Sequence, residues 1–207
     1  MTKVVEFVVK SIADTALKNE QYFSELDAVV GDGDFGYSIG RGFEKVLENW
    51  DSIDRTIPGN FFKDVAKIIM SSVGGVSGTI WGTAFLRAGM TLGTNETAKK
   101  EDIVPILRAV AEGIKKRGNC DLGDKTYLDT LIPTTNAIEA AINEGKSDLE
   151  ILEIATQISA EAAEATRPMV AKRGRASYTG DRSIGTLDAG SVALATMIKS
   201  LSEAWRA

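Results

Sequence analysis

The sequence predicts an all-α protein of about eight or more helices in one domain. Three observations lead there. Apolar residues recur three and four positions apart through most of the chain, the period of an amphipathic helix. Alternating Val, Ile and Thr bounded by turns is missing except at Asp27-Ala28-Val29-Val30, too short to build a sheet. The gaps between periodic stretches are short, which favours antiparallel neighbours. With 207 residues, 43% of them hydrophobic, the chain can bury a sizeable core. No repeat, low-complexity stretch or linker divides it, so residues 1–207 read as one domain.

Val4, Val5, Phe7, Val8, Ile12 and Leu17 stripe the first helix, and a short second one covers Glu20 to Ala28. Ile39, Phe43, Val46, Leu47 and Trp50 mark the third, and Phe61, Phe62, Val65, Ile68 and Ile69 the fourth. After Ser71-Ser72-Val73-Gly74-Gly75-Val76-Ser77-Gly78 comes a helix through Trp81, Phe85, Leu86 and Met90. The next runs through Ile103, Ile106, Leu107, Val110 and Ile114. It carries Pro105 in its first turn, where the missing N–H costs little, and stops at Arg117-Gly118. Another spans Tyr127 to Asn143 with Pro133 in its opening turns. A helix through Leu149, Leu152, Ala155, Ile158 and Ala162 is expected to continue past Pro168 into Lys172-Arg173-Gly174-Arg175. A loop to about Asp188 precedes a terminal helix through Val192, Ala195, Ile198, Leu201 and Trp205.

Composition narrows the chemistry. The net charge of −5 offers no general attraction for nucleic acid or an anionic membrane. No apolar run reaches the ~20 residues of a membrane span, and no secretory leader pattern opens the chain. The single cysteine, Cys120, rules out an intrachain disulfide and suits a reducing cytoplasm. The chain contains no histidine, which removes His-ligated metals, His catalysis and any phosphohistidine step on this chain.

Chemistry-bearing residues collect in the loops. Leu26-Asp27-Ala28-Val29-Val30-Gly31-Asp32-Gly33-Asp34 brings three carboxylates between glycines. Crowded like charges call for a cation, and hard oxygens in a flexible loop suit Mg²⁺ or Ca²⁺; the alternative is a solvated turn and helix cap. Gly74 to Gly78 leads into a helix whose first amides suit phosphate oxygens, or simply lets helices pack closely. Lys172, Arg173, Arg175 and Arg182 form a basic loop suited to phosphate, or to complementing a helix C-terminus. Together these are the parts that hold a metal-bound nucleotide.

Three other patterns fail on context. Gly31 to Gly36 matches G-x-G-x-x-G but has no strand–turn–helix around it, and its aspartates would repel a bare pyrophosphate. Ala140 to Ser147 resembles a phosphate loop but emerges from a helix; a stop at Gly145 and an N-cap at Ser147 or Asp148 is simpler. A twelve-residue EF-hand loop counted from Asp32 would place Tyr37 at the required Gly and Phe43 at the required Glu.

The acidic loop, the Ser71–Gly78 turn, Gly123-Asp124-Lys125-Thr126 and Gly174-Arg175-Ala176-Ser177-Tyr178-Thr179-Gly180-Asp181-Arg182-Ser183-Ile184-Gly185 resemble the nucleotide-binding L subunit of dihydroxyacetone kinase, in the family's order and across almost the whole chain. The resemblance implies a barrel of eight antiparallel helices holding ADP or ATP and two Mg²⁺ at one end. It implies Asp27, Asp32 and Asp34 as metal ligands. Gly36, Tyr37, Ser38, Val76, Ser77, Gly118, Arg175, Asp188, Ala189 and Gly190 fall where the family contacts nucleotide. Tyr127 is a candidate wall of the adenine pocket, or a core tyrosine. One departure stands out: Phe35 takes the place of a frequent family histidine and cannot donate a hydrogen bond to phosphate.

The implied reaction is phosphoryl transfer to a small hydroxyketone such as dihydroxyacetone. That ketone is held on a separate K subunit, with Arg175 as an electrophilic helper. Two modes stand open: ADP stays bound and is recharged by a phosphohistidine partner of the phosphotransferase system, or ATP exchanges freely. A short ketose such as erythrulose, a homodimer, and a non-catalytic nucleotide-binding regulator also fit the resemblance.

Overall fold

The computed structural model describes residues 2–206. Among them, nine α-helices follow one another without a strand: α1 (Lys3–Lys18), α2 (Glu20–Ala28), α3 (Phe35–Glu48), α4 (Pro58–Ser72), α5 (Gly75–Leu92), α6 (Ile103–Gly118), α7 (Leu128–Asn143), α8 (Asp148–Glu164) and α9 (Ala189–Arg206). Short 3-10 turns lie at Trp50–Ser52, Lys100–Asp102 and Arg175–Ser183.

Eight of these helices close a ring. α1 packs on α3, each helix from α3 to α8 packs on its successor, and α9 returns to α1. The short α2 lies against α3 and α9. Only Val73 and Gly74 separate α4 from α5, so these neighbours run antiparallel. In an antiparallel ring, alternate connections share an end. That rule gathers the α2–α3, α4–α5, α6–α7 and α8–α9 connections, and these four carry the polar motifs.

The core explains why the ring holds. Val9, Ala13, Phe23, Phe43, Phe61, Val65 and Leu92 are buried on the inward faces of α1 to α5. Phe43 meets Trp81 edge-on at 5.4 Å and 79°, and Phe85 at 6.0 Å and 80°. Such pairs add about 1 kcal/mol each to the burial itself. Separate apolar clusters join α5 to α7, around Ile80, Ile114 and Leu128, and α7 to α8, around Ile138 and Ile151.

Local signals set most boundaries. Ser147 caps α8 by accepting from the Glu150 N–H at 3.3 Å, while the Glu150 carboxylate accepts from the Ser147 N–H at 2.8 Å. Gly145 adopts φ +73°, as the end of α7 requires. Pro105 and Pro133 both lie inside helices, as expected.

The expected run of α8 through Pro168 is corrected. The helix stops at Glu164, and the chain turns through residues 165–169. Two causes act there. Proline disfavours helix at the preceding residue, Arg167. The buried Thr166 hydroxyl donates to the Ala163 carbonyl at 2.7 Å and fixes the turn. The following stretch is also not plain loop, because Arg175–Ser183 winds as 3-10 turns broken at Gly180, φ +56°.

Candidate functional site

The α2–α3 loop folds around Asp27. Its carbonyl accepts from the N–H groups of Val30 at 3.1 Å and Gly31 at 2.6 Å as α2 ends. Gly33 takes φ +75°, which aims its N–H at Asp27 Oδ2, 2.9 Å away. One carboxylate oxygen from each of Asp27, Asp32 and Asp34 then lies within 4.8 Å of the others. Asp27 is half-buried, while Asp32 and Asp34 are exposed. The Arg175 guanidinium pairs with Asp32 and stands 3.9 Å from Asp34. The donors are all carboxylate oxygens, with no nitrogen or sulfur, and they converge from one loop. That set fits a hard divalent cation such as Mg²⁺.

This loop faces a cleft of about 590 Å³ lined by all four gathered connections. On one side the chain enters α5 through Gly74, with ψ 179°, and Gly75, with φ +69°. The exposed Val76 and half-buried Ser77 follow in the first turn of an 18-residue helix, whose leading amides have no partner within the helix. Gly118 closes α6 before Asn119, which turns left-handed at φ 46°.

Tyr127 stands in the wall. Its hydroxyl accepts from Trp81 Nε1 at 3.0 Å, and its ring lies 5.8 Å from Trp81 and 6.0 Å from Phe35. Burial pushes its phenol well above the ordinary value, against the smaller opposing effect of Trp81, so it stays neutral. Gly190 makes room for this ring, because a Cβ there would sit 2.9 Å from it.

Asp188 opens α9 by accepting from the Ser191 N–H at 2.6 Å, and its own N–H donates to Thr166 Oγ1 at 3.0 Å. Burial raises its carboxyl to about 6, outweighing the Ser191 hydrogen bonds.

Of the residues singled out in the sequence, Asp27, Asp32, Asp34, Ser38, Val76, Ser77, Gly118, Tyr127, Arg175, Asp188, Ala189 and Gly190 all line this cleft. Gly36 and Tyr37 do not. Gly36 is buried against α2, where a Cβ would strike the Glu20 carbonyl oxygen, so its lack of a side chain serves helix packing. Tyr37 points outward, and its hydroxyl accepts from Arg41 at 3.3 Å. Phe35 lines the cleft with an apolar ring packed on Phe23 and Tyr127.

The cleft also contains residues beyond the expected metal ligands and nucleotide contacts. Arg173 lines it while donating to Asp124 at 3.0 Å. Burial alone would raise the Asp124 carboxyl, but the Asp121 amide and Arg173 hold it below its ordinary value. Arg117 and Cys120 line it too, and burial pushes the Cys120 thiol up. Lys125 is almost wholly buried, at 3% exposure. Arg173 was visible in the basic loop; nothing in the sequence marks the surroundings of Lys125.

Fold and cleft together define an all-helical ring protein whose loops gather carboxylates, guanidinium groups and free helix amides at one end. A family model described as the DAK2 domain matches residues 29–203, and the chain belongs to that family. The ADP-binding subunit DhaL of the PEP-dependent dihydroxyacetone kinase of Escherichia coli K12 is 34% identical over 97% of this chain and 95% of its own. The ADP-binding subunit DhaL of the PTS-dependent dihydroxyacetone kinase of Lactococcus lactis is 33% identical over 90% and 88%. These relatives are kinase subunits, hence parts of phosphotransferases. The crystal structure of the dihydroxyacetone kinase of C. freundii superposes on 99% of this chain and 35% of its own with a TM-score of 0.75, at 24% identity. That likeness concerns the fold.

Proposed function

We propose that this chain is the nucleotide-carrying subunit of a two-part ketose kinase. It holds ADP or ATP with two Mg²⁺ and serves phosphoryl transfer to dihydroxyacetone bound on a separate K subunit. One observation carries the reading: four connections far apart in sequence build a single cleft with the clustered carboxylates of Asp27, Asp32 and Asp34, the α5 N-terminus and three arginines in it.

Asp27, Asp32 and Asp34 hold the metal, which when bound would neutralise phosphate charge and polarise the transferring group. The leading amides of α5, at Val76 and Ser77, donate to phosphate oxygens. Gly118, Tyr127, Ala189 and Gly190 form the wall against which the base lies. Arg175, paired with Asp32, brings a positive charge to the phosphoryl oxygens, and Arg173 a second one anchored on Asp124. Phe35 adds apolar wall and no donor, so these amides and arginines carry the hydrogen bonding to phosphate.

The DhaL subunits that this chain matches nearly end to end are named PEP- or PTS-dependent and ADP-binding, which supports a resident ADP recharged by a phosphohistidine protein. A second reading has a specific observation behind it. The L-erythrulose kinase of Pectobacterium atrosepticum is 30% identical over 96% of this chain, which covers 34% of that protein, and its name supports another ketose as acceptor; freely exchanging ATP is the donor mode that needs no phosphohistidine partner. The test is extensive dialysis followed by nucleotide analysis, with turnover on a K subunit supplied either a phosphohistidine donor or free ATP. Retained ADP and turnover with the phosphohistidine donor support the first mode. Fast exchange with ATP-driven turnover supports the second, and no Mg²⁺-dependent nucleotide binding at all defeats both.

A further inference from the structure

Lys125 is a charged side chain in a place that disfavours charge. It is 3% exposed, and burial pulls its ammonium below the ordinary lysine value, with Asp188 partly offsetting the effect. Its backbone adopts φ +61°, a left-handed conformation that disfavours a long L side chain. A strained backbone carrying a buried cation persists only where the surroundings hold it firmly.

They do so with oxygen atoms. Lys125 Nζ donates to the carbonyls of Met169 at 3.2 Å, Ser183 at 2.6 Å and Thr186 at 2.9 Å, and to Thr186 Oγ1 at 3.2 Å. Three carbonyls and a hydroxyl around one positive charge are what a bound monovalent cation would have. All four acceptors belong to the α8–α9 connection, while Lys125 belongs to the α6–α7 connection. Its neighbour Asp124 works the same seam with the opposite sign. The Asp124 carboxylate accepts from Arg173 at 3.0 Å, and its carbonyl accepts from the Lys172 N–H at 3.1 Å.

The segment clasped in this way presents Arg173, Gly174, Arg175 and Ala176 to the cleft and leads directly into Asp188. We infer that Lys125 is a positioning residue: its ammonium substitutes for a bound monovalent cation and holds the arginine-bearing segment 169–186 in place over the nucleotide cleft. The inference rests on the reading of that cleft as a Mg²⁺–nucleotide site. It extends that reading to a residue at the edge of the cleft whose ammonium bonds are all to the α8–α9 connection.

The experiment uses Lys125→Ala, which empties the cage, with ammonium chloride to refill it and tetramethylammonium chloride as a salt that cannot donate. Two readouts are followed, tryptic cleavage at Arg173 and Arg175 mapped by mass spectrometry, and Mg²⁺-dependent ADP affinity by calorimetry. Cleavage is expected to quicken and affinity to fall, each by about tenfold, the scale of lost hydrogen bonds to a charged group. Ammonium is expected to restore both, and tetramethylammonium neither. Cleavage within about twofold of the parent, or equal restoration by both salts, overturns the inference. If Lys125→Ala does not fold, Thr186→Val removes one acceptor and keeps the shape; cleavage unchanged in that folded variant overturns it as well. If the parent protein itself binds no nucleotide, the functional reading falls while the cleavage readout still judges the clasp.

Discussion

The two arms that meet across the cleft are built in opposite ways. The α2–α3 loop is short, and its geometry is local: Asp27 organises it through Val30, Gly31 and Gly33, all within six residues. The α8–α9 connection, residues 165–188, is held from a distance. Lys125 and Asp124 grip it from the α6–α7 loop, and Ser183 accepts from the Ala171 N–H at 2.9 Å to fold it on itself. The first arm displays exposed carboxylates for a ligand, while the second spends its buried polar groups on its own shape. A short loop can be specified by its own residues. A long one that must present two arginines accurately needs partners elsewhere in the fold.

Breaking the acidic arm should have the largest effect. Asp32→Asn removes one charge from the three-carboxylate set and is expected to weaken Mg²⁺-dependent nucleotide binding at least about 100-fold, with helical content unchanged. Titration calorimetry and circular dichroism check this, and surviving tight binding would refute the metal assignment.

The opposite arm comes next. Arg175→Gln keeps length and hydrogen bonding but removes the charge. It is expected to lower kcat about 100-fold in turnover reconstituted with a K subunit, with a smaller change in nucleotide affinity. An equal loss in both would make Arg175 a binding residue only.

Gly36→Ala tests whether the acidic arm depends on the close approach of α3 to α2. The added methyl meets backbone, so a loss of about 2 kcal/mol in urea unfolding is expected. Unchanged stability would show that α2 gives way freely.

The smallest effect concerns the root of the long arm. Asp188, raised to about 6, stays protonated in the folded chain at pH values where the unfolded carboxyl, near about 4, has released its proton. Between those values the folded state binds more protons, so this group's contribution falls as pH rises through the window and stays low above it. Asp188→Asn keeps a good N-cap and is expected to gain about 1 kcal/mol at pH 8, a gain that shrinks as pH falls below 6. A gain of equal size at pH 4 and pH 8 would show that the charge of Asp188 is not its cause.

The same contrast decides how much could be read in advance. The helices are legible because each carries its own period, from Val5 on α1 to Val192 on α9. Ser147 and Gly145 announced the α7–α8 turn by residue type alone. The α8–α9 connection was misread as partly helical, because the apolar spacing up to Ala162 says nothing of the Thr166 hydroxyl that turns the chain. Gly36 and Tyr37 adjoin the acidic loop in sequence, yet the first turn of α3 directs one into α2 and the other to solvent.

Residue type and spacing by themselves determined the helical class, the loop that gathers Asp27, Asp32 and Asp34, and the supply of glycines and arginines. Tertiary structure alone decided that α1 and α3 to α9 close a ring, and hence that four alternate connections share one end. It also decided that Lys125 is buried with its ammonium among oxygens of the α8–α9 connection. The physical reason is the range of the interactions. Helix period, caps and a turn glycine act within a few residues, so side-chain identity reports them. Three of the four partners of Lys125 are backbone carbonyls 44 to 61 residues away, and every residue carries the same carbonyl.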